Sequence, residues 1–176
     1  MVDQVDIFFK VETQSFRFIG KSPISLKDSV NLGGGSSNGE FAVIKHSKPR
    51  AMVVIEPAGS LVVHGISSIE AAKAIAKETL LKNGKEDKII GVEKGESLST
   101  FSLGRSVLME LAASRFSDIE IDDRLNAIRI DAKRHRCTII LFKNGKGLIL
   151  GQISRSASEM AAHYWLSRLG DEGALA

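Results

Sequence analysis

A single cysteine, Cys137, excludes an internal disulfide and any cysteine-based zinc centre, and its place in an apolar run marks it as a buried thiol. No apolar run approaches the roughly 20 residues that a membrane-spanning helix requires, so no membrane partner is expected. The opening Met1-Val2-Asp3-Gln4-Val5-Asp6 lacks the basic and apolar blocks of a secretion signal. The expected compartment is the cytoplasm, with nucleoid association in a prokaryote. Chemistry-bearing patterns are equally scarce. The histidines His46, His64, His135 and His163 show no paired metal-ligand spacing. Gly33-Gly34-Gly35 lacks the Gly-Lys-Ser/Thr ending of a phosphate cradle. Asp118, Glu120, Asp122 and Asp123 alternate with Ile119 and Ile121 but fit no calcium loop. Neither an enzyme, a metal nor a cofactor is expected. The net charge of +3 permits nucleic-acid binding without demanding it.

What the chain does have is a repeat. Arg50, Gly59, Gly65, Ser68, Ala71, Ala76, Leu80 and Gly84 recur 86 residues later as Arg136, Gly145, Gly151, Ser154, Ala157, Ala162, Leu166 and Gly170. Composition alone would give roughly 2 such identities over a stretch of this length. A fixed period means one supersecondary unit used twice, which predicts two halves, 1–87 and 88–176.

In each copy an apolar run (Ala51 to Ile55; Thr138 to Phe142) meets a turn at Pro57-Ala58-Gly59 or Lys143-Asn144-Gly145. A second run follows (Leu61 to Val63; Leu148 to Leu150), giving a β-hairpin. A long helix comes next, with the Ser-x-x-Glu spacing of a capping box at Ser67 and Ser156 and a cap glycine at Gly84 and Gly170. Upstream, Val5 to Phe18 and Lys88 to Val92 read as first strands, and Leu26 to Leu32 and Leu103 to Arg115 as helices. The stretch Gly33 to Gly39 reads as a loop, and Phe41 to Lys45 and Asn126 to Asp131 as further strands. Strand, helix, three strands and long helix per copy is α+β logic. Helices on one face leave the other face of the sheet bare, and function belongs there.

Pro49-Arg50 followed by apolar residues, then Gly59, Gly65 and a long helix, resembles the core signature of the TATA-box-binding protein repeat. Arg136 to Gly151 resembles its second copy, including the spacing of Phe142, Gly145 and Lys146. The resemblance implies a pseudo-twofold saddle, an α+β fold whose curved antiparallel sheet has about ten strands with helices on the convex face. It implies an archaeal-type transcription-initiation factor that contacts the minor groove of double-stranded, AT-rich DNA through the concave face, with apolar wedges. Carried over, the wedge sites are Phe41 and Glu56 in the first copy and Asn126 and Phe142 in the second. Val54, Val62, Ile140 and Leu148 keep the apolar contact positions, while His64 and Leu150 stand where the family has Thr. Lys48, Arg50, Lys133 and Arg136 are the candidate backbone contacts. Asp122 and Asp123 are candidate contacts for a B-type transcription initiation factor.

Two departures set up a competing reading. On that resemblance a carboxylate at Glu56 would face phosphates and acceptor-rich base edges, which repel it. The family's first-strand Asn has no counterpart, because residues 1–30 and 84–125 contain no Asn. The alternative is the same fold used as a protein-interaction module or as a homodimer through the concave face. Phe41 and Phe142 also admit the plainer role of core packing, and Lys133-Arg134-His135-Arg136 that of a solvated turn.

Overall fold

The computed structural model describes residues 7–32 and 34–176. Val5, Asp6 and Gly33, which the sequence reading included in a strand and a loop, lie outside them. The fold is α+β, a ten-strand antiparallel sheet with four helices. It divides into a first unit, Thr13–Gly95, and a second unit formed by residues 7–12 and Glu96–Ala176. The division runs through two long strands, β1 (Phe8–Gly20) and β6 (Ile89–Ser102).

In the first unit, α1 (Leu26–Asn31) follows β1, and then come β2 (Ser36–Ser37), β3 (Ala42–Ser47), β4 (Arg50–Ile55), β5 (Ser60–Ile66) and α2 (Ile69–Lys82). The strands pair in the order β2-β3-β4-β5-β1. Through β4, the middle of β5 and the end of β1, side chains alternate between the two faces. Ala51, Val53 and Ile55 of β4, Leu61 and Val63 of β5, and Phe16 and Phe18 of β1 turn to the helix side. There they pack with Ala72, Ile75, Ala76 and Leu80 of α2 in one core. A fully buried side chain of this kind is worth about 1.5–3 kcal/mol over an exposed one, so a one-residue slip of any strand would forfeit several at once.

The second unit repeats the plan with α3 (Met109–Arg115), β7 (Ile119–Asp122), β8 (Ala127–Ala132), β9 (Cys137–Phe142), β10 (Lys146–Gln152) and α4 (Arg155–Asp171), the strands ordered β6-β10-β9-β8-β7. Its core gathers Phe101, Ile128, Ile130, Ile139, Leu141 and Ile149 under Ala161, Ala162, Trp165 and Leu169 of α4. Phe116 and Trp165 meet edge to face with ring centroids 5.4 Å apart, and the Arg168 guanidinium lies 4.9 Å from the Phe116 ring centre. Cys137 is buried in this unit, and burial pushes its thiol up to about 11.

The strand ladders carry the repeat. Val53↔Val63, Val54↔Val62 and Ile55↔Leu61 in the first unit match Ile139↔Ile149, Ile140↔Leu148 and Leu141↔Gly147 in the second, each pair 86 residues on. Both hairpins close with a glycine amide donating to the residue three back, Gly59 to Glu56 and Gly145 to Phe142 (2.9 Å each). The first strands keep the register at a different spacing. Phe18↔Leu61 corresponds to Phe101↔Gly147, so β1 and β6 are related by 83 residues.

Several sequence expectations shift. The caps of α2 and α4 are Ser68 and Ser154, whose hydroxyls accept from the amides of Ala71 and Ala157; these are the repeated serines, one residue after Ser67 and two before Ser156. Gly84, at φ +70°, closes α2 as expected, with the Gly84 and Lys85 amides donating to the Leu81 and Leu80 carbonyls. Gly170 lies inside α4; Gly173 takes the capping role through the same bond pattern. The helix expected over Leu103 to Arg115 begins only at Met109. Its first half is held instead by backbone bonds from Leu103 and Val107 to the Gly145 and Lys143 carbonyls and from Leu108 to Ala174. Ser36–Ser37 form a short strand inside the stretch expected to be a loop, and Ile119–Asp122 form another in the second copy, so each copy has four strands after its first helix where three were expected.

Gly145 and Gly151 separate two reasons for glycine. Both have positive φ (+86° and +84°), but a Cβ on Gly145 would stand 2.0 Å from the Arg105 carbonyl oxygen while one on Gly151 meets nothing within 4 Å. Gly151→Ala is expected to lower stability by about 1–2 kcal/mol, the ordinary cost of a left-handed residue with a Cβ. Gly145→Ala is expected to lower it distinctly further in urea denaturation. Equal losses would show that the close approach at Arg105 carries no weight.

Candidate nucleic-acid interface

Alternation that buries one face of each sheet presents the other. In the first unit Met52 and Val54 of β4, Val62 and His64 of β5 and Val43 of β3 point away from the helices. Val54 stands opposite both Val43 and Val62, which makes a half-buried apolar strip across three strands. In the second unit Ile140 and Phe142 of β9 and Leu148 and Leu150 of β10 do the same. All seven of the sheet positions expected from sequence therefore lie on the helix-free face of their unit. Val54, Val62, Phe142, Leu148 and Leu150 are half-buried there, while Ile140 is buried among its neighbours.

Phe41 is half-buried, directly before β3. Its amide donates to Asn38 Oδ1 (3.1 Å), and its carbonyl accepts from the Ser37 hydroxyl (3.1 Å). Gly35-Ser36-Ser37-Asn38-Gly39 has the Gly-x-Ser-x-Gly spacing of a nucleophile elbow. It runs from strand to turn to strand, with Ser37 Oγ tied to the Phe41 carbonyl and the Gly39 amide, so the strand-to-helix geometry of an elbow is missing.

The ladder relocates one wedge position. Ala127 stands opposite Phe142, and at the 86-residue spacing Ala127 corresponds to Phe41, as Phe142 corresponds to Glu56. Asn126, the expected counterpart of Phe41, sits one residue earlier in the β7–β8 turn with φ 51°. Each unit therefore has one phenylalanine at this pair of positions, on opposite strands: Phe41 in the first and Phe142 in the second. Phe142, Leu148, Thr100 and the exposed Phe8 line a groove of about 470 Å³ on the second unit's open face.

The charges are arranged less simply than sequence implied. Glu56 is paired with Arg17 of β1, whose register partner is Val62, so the ion pair lies on the open face beside the apolar strip. In the second unit Glu12 Oε1 accepts from Thr100 Oγ1 (2.8 Å), and Glu12 Oε2 pairs with Lys10 Nζ (3.3 Å). The Thr100 hydrogen bond, and after it Lys10, hold the Glu12 carboxyl below its usual value. Glu120 faces Arg129 across β7 and β8.

The basic candidates divide into two groups. Lys48 and Arg50 are exposed in and beside the β3–β4 turn. His46 fastens that turn to α2, its ring nitrogens lying 2.7 Å from the Pro49 carbonyl oxygen and 3.2 Å from Glu78 Oε2. Arg136 is exposed in a left-handed conformation after the short 3-10 helix Lys133–His135. Lys133, by contrast, is engaged with Asp118 (3.2 Å) and Asp131 (4.0 Å), which hold its ammonium above the usual value, Asp118 first. Asp122 Oδ1 accepts from the Arg124 and Leu125 amides (3.1 and 3.4 Å), so it shapes the β7–β8 turn, while Asp123 is exposed there.

Sequence reasoning passed over Arg17, Phe8, Thr100 and Glu12. Arg17 was legible as a lone cation between Phe16 and Phe18 in a strand, where alternation sets it opposite to the two rings.

No protein-family model matches the sequence, and no curated protein matches it. Among solved structures, Methanococcus jannaschii TBP superposes with a TM-score of 0.81 at 18% identity, over 93% of this chain and 98% of that one. The chain has a TBP-like fold. A heterotetrameric sarcosine oxidase from Corynebacterium sp. U-96 aligns at a TM-score of 0.36 and 14% identity, over 97% of this chain and 85% of that one, and carries no argument. At these identities the TBP likeness concerns the fold; the open-face side chains are this chain's own. Among the described residues no helix is long and apolar enough to cross a membrane.

The Glu12–Thr100 bond can be checked by titration. A carboxyl held below its unfolded value stabilises the fold above that value, and the contribution is lost as pH falls through the folded one. Thr100→Val removes the larger cause. The Glu12 midpoint, followed by carboxyl NMR shifts, is expected to rise toward the ordinary 4.5. An unmoved midpoint would assign the whole effect to Lys10.

Proposed function

We propose that the chain is a duplex-DNA-binding factor of the transcription-initiation type, built from two TBP-like repeats, 1–87 and 88–176, whose helix-free sheet faces contact the minor groove of AT-rich DNA. The observation that carries the reading is that Val54, Val62, His64, Ile140, Phe142, Leu148 and Leu150 all lie on those faces. A flat apolar strip suits the minor groove, whose sugar edges are apolar and whose donor and acceptor code is degenerate. On this reading Phe142, and Phe41 in the first unit, enter between base steps. Lys48, Arg50 and Arg136 supply backbone contacts, and Lys133 does so only on leaving Asp118 and Asp131. Asp123, exposed beside the turn that Asp122 shapes, is the contact offered to a B-type initiation factor.

A gel shift with AT-rich and GC-rich duplexes at two salt concentrations tests the proposal. Binding should favour the AT-rich duplex and fall steeply as salt rises. Phe142→Ala is expected to lower affinity by about 1–3 kcal/mol, the usual loss when a side chain stacked on a base is truncated. It should also reduce duplex bending far more than Lys48→Ala does. Equal effects of the two substitutions on bending would remove the wedge role.

One observation favours a second reading, a protein-interaction module or homodimer through the same faces. The open face of the second unit carries Glu12, paired with Lys10, Glu120, opposite Arg129, and Asp131, near Lys133, among its apolar residues, and such a mixed-charge surface suits a protein partner better than phosphates. Sedimentation with and without a mixed-sequence duplex separates the two. A stable dimer with no duplex shift at low salt would favour the second reading.

A further inference from the structure

The Arg17–Glu56 ion pair lies at a place where the two units differ in kind. The register that matches Phe18↔Leu61 with Phe101↔Gly147 makes Thr100 the counterpart of Arg17, and the hairpin register makes Phe142 the counterpart of Glu56. The same pair of positions thus holds a hydroxyl and a ring in one unit, and a guanidinium and a carboxylate in the other. Arg17 stands opposite Val62, and Val62 opposite Val54, so the pair borders the apolar strip of the first unit. The Arg17 side chain is 43% exposed and that of Glu56 30%, which leaves both within reach of a surface laid on that face.

A guanidinium on this face is a ready partner for a phosphate oxygen or a minor-groove acceptor. Paired with Glu56 it is neutralised, and a docking duplex must then either desolvate a carboxylate against like-charged phosphates or separate the pair. Resting on the duplex-binding reading, we propose that Glu56 is an affinity-determining residue: it holds Arg17 out of nucleic-acid contact and so sets the strength and salt dependence of binding through the first unit. Glutamine at this position keeps the side-chain shape and can still accept a bond from Arg17, but it does not neutralise the cation. Glu56→Gln therefore frees the charge without emptying the site.

The experiment is a binding titration of the full chain against a labelled AT-rich duplex at several salt concentrations, with wild type, Glu56→Gln, Arg17→Ala and the double variant. Glu56→Gln is expected to bind roughly tenfold tighter at low salt, and its slope of log K against log salt should steepen by about 0.9, the signature of one further phosphate neutralised. The double variant should lose that gain, because the cation that produces it is gone. If wild type binds and Glu56→Gln leaves the slope unchanged, the role of Glu56 is overturned while duplex binding stands. A gain that persists in the double variant overturns the route through Arg17. Absence of binding by every variant at low salt removes the duplex reading and this inference with it.

Discussion

Each unit has two sheet faces and helices enough for only one of them. Where the ladders are regular the strands alternate, and the residues on the helix side are among the most fully buried of those described: Phe16, Phe18, Ile55 and Leu61 in the first unit, Ile128, Ile130, Ile139 and Ile149 in the second. Period-two geometry then obliges Val54, Val62, Ile140 and Leu148 to face the other way. Their apolar character is not forced by the core. An open antiparallel face ordinarily carries polar residues, and Val, Ile, Leu and Phe there keep surface in contact with water that a bound partner would remove. The candidate interface follows from packing in this sense: the core fixes which residues are offered, and the choice of apolar side chains at those positions is what packing leaves unexplained.

Part of this was legible in the sequence because the repeat held its spacing where the structure is most regular. From β3 through the long helix the two copies keep an 86-residue offset, and the glycines that recur, Gly59 with Gly145 and Gly65 with Gly151, mark positive-φ positions that side chains avoid. The first strands themselves were legible, but the correspondence between them was not, for a simple reason. Their offset is 83 residues, and of their aligned positions only Phe18 and Phe101 coincide in type, so the ladder reveals a correspondence that residue matching does not. The shortened α3 illustrates a different limit. Leu103 to Leu108 has helical periodicity, but Gly104 adopts φ +69° and neighbouring amides are claimed by carbonyls at Lys143, Gly145 and Ala174. Tertiary hydrogen bonds displaced a local preference worth only tenths of a kilocalorie per residue. The caps show the reverse: Ser68 and Ser154 belonged to the repeat, and that signal outweighed the Ser-x-x-Glu spacing that pointed to their neighbours.

Charged side chains were the hardest part of the site to read, because a charge has no meaning until its partner is known. Lys133 looked like a phosphate contact within a basic run, yet Asp118 and Asp131 hold it. Asp122 looked like a partner contact and is spent on the amides of its own turn. In each case the partner is too far away in sequence, or too commonplace in type, to be identified from spacing. Exposed pairs of this sort contribute little to stability, so their main effect is on what the surface can still bind.

Glu56 is where these threads meet. Taken alone it is a carboxylate that argues against the proposed use of that face on an anionic polymer. Its pairing with Arg17 changes the argument, because the ion pair carries no net charge and, on the proposed reading, the conflict becomes a competition for one guanidinium. The second unit solves the same position with Phe142 and Thr100, and moves its own carboxylate, Glu12, onto the Thr100 hydroxyl. Two copies of one hairpin have therefore diverged into an aromatic end and an ionic end. That asymmetry, unlike the TBP-like fold, cannot come from the repeat itself; at this pair of positions one unit offers a ring and a hydroxyl, and the other a guanidinium with its counter-ion.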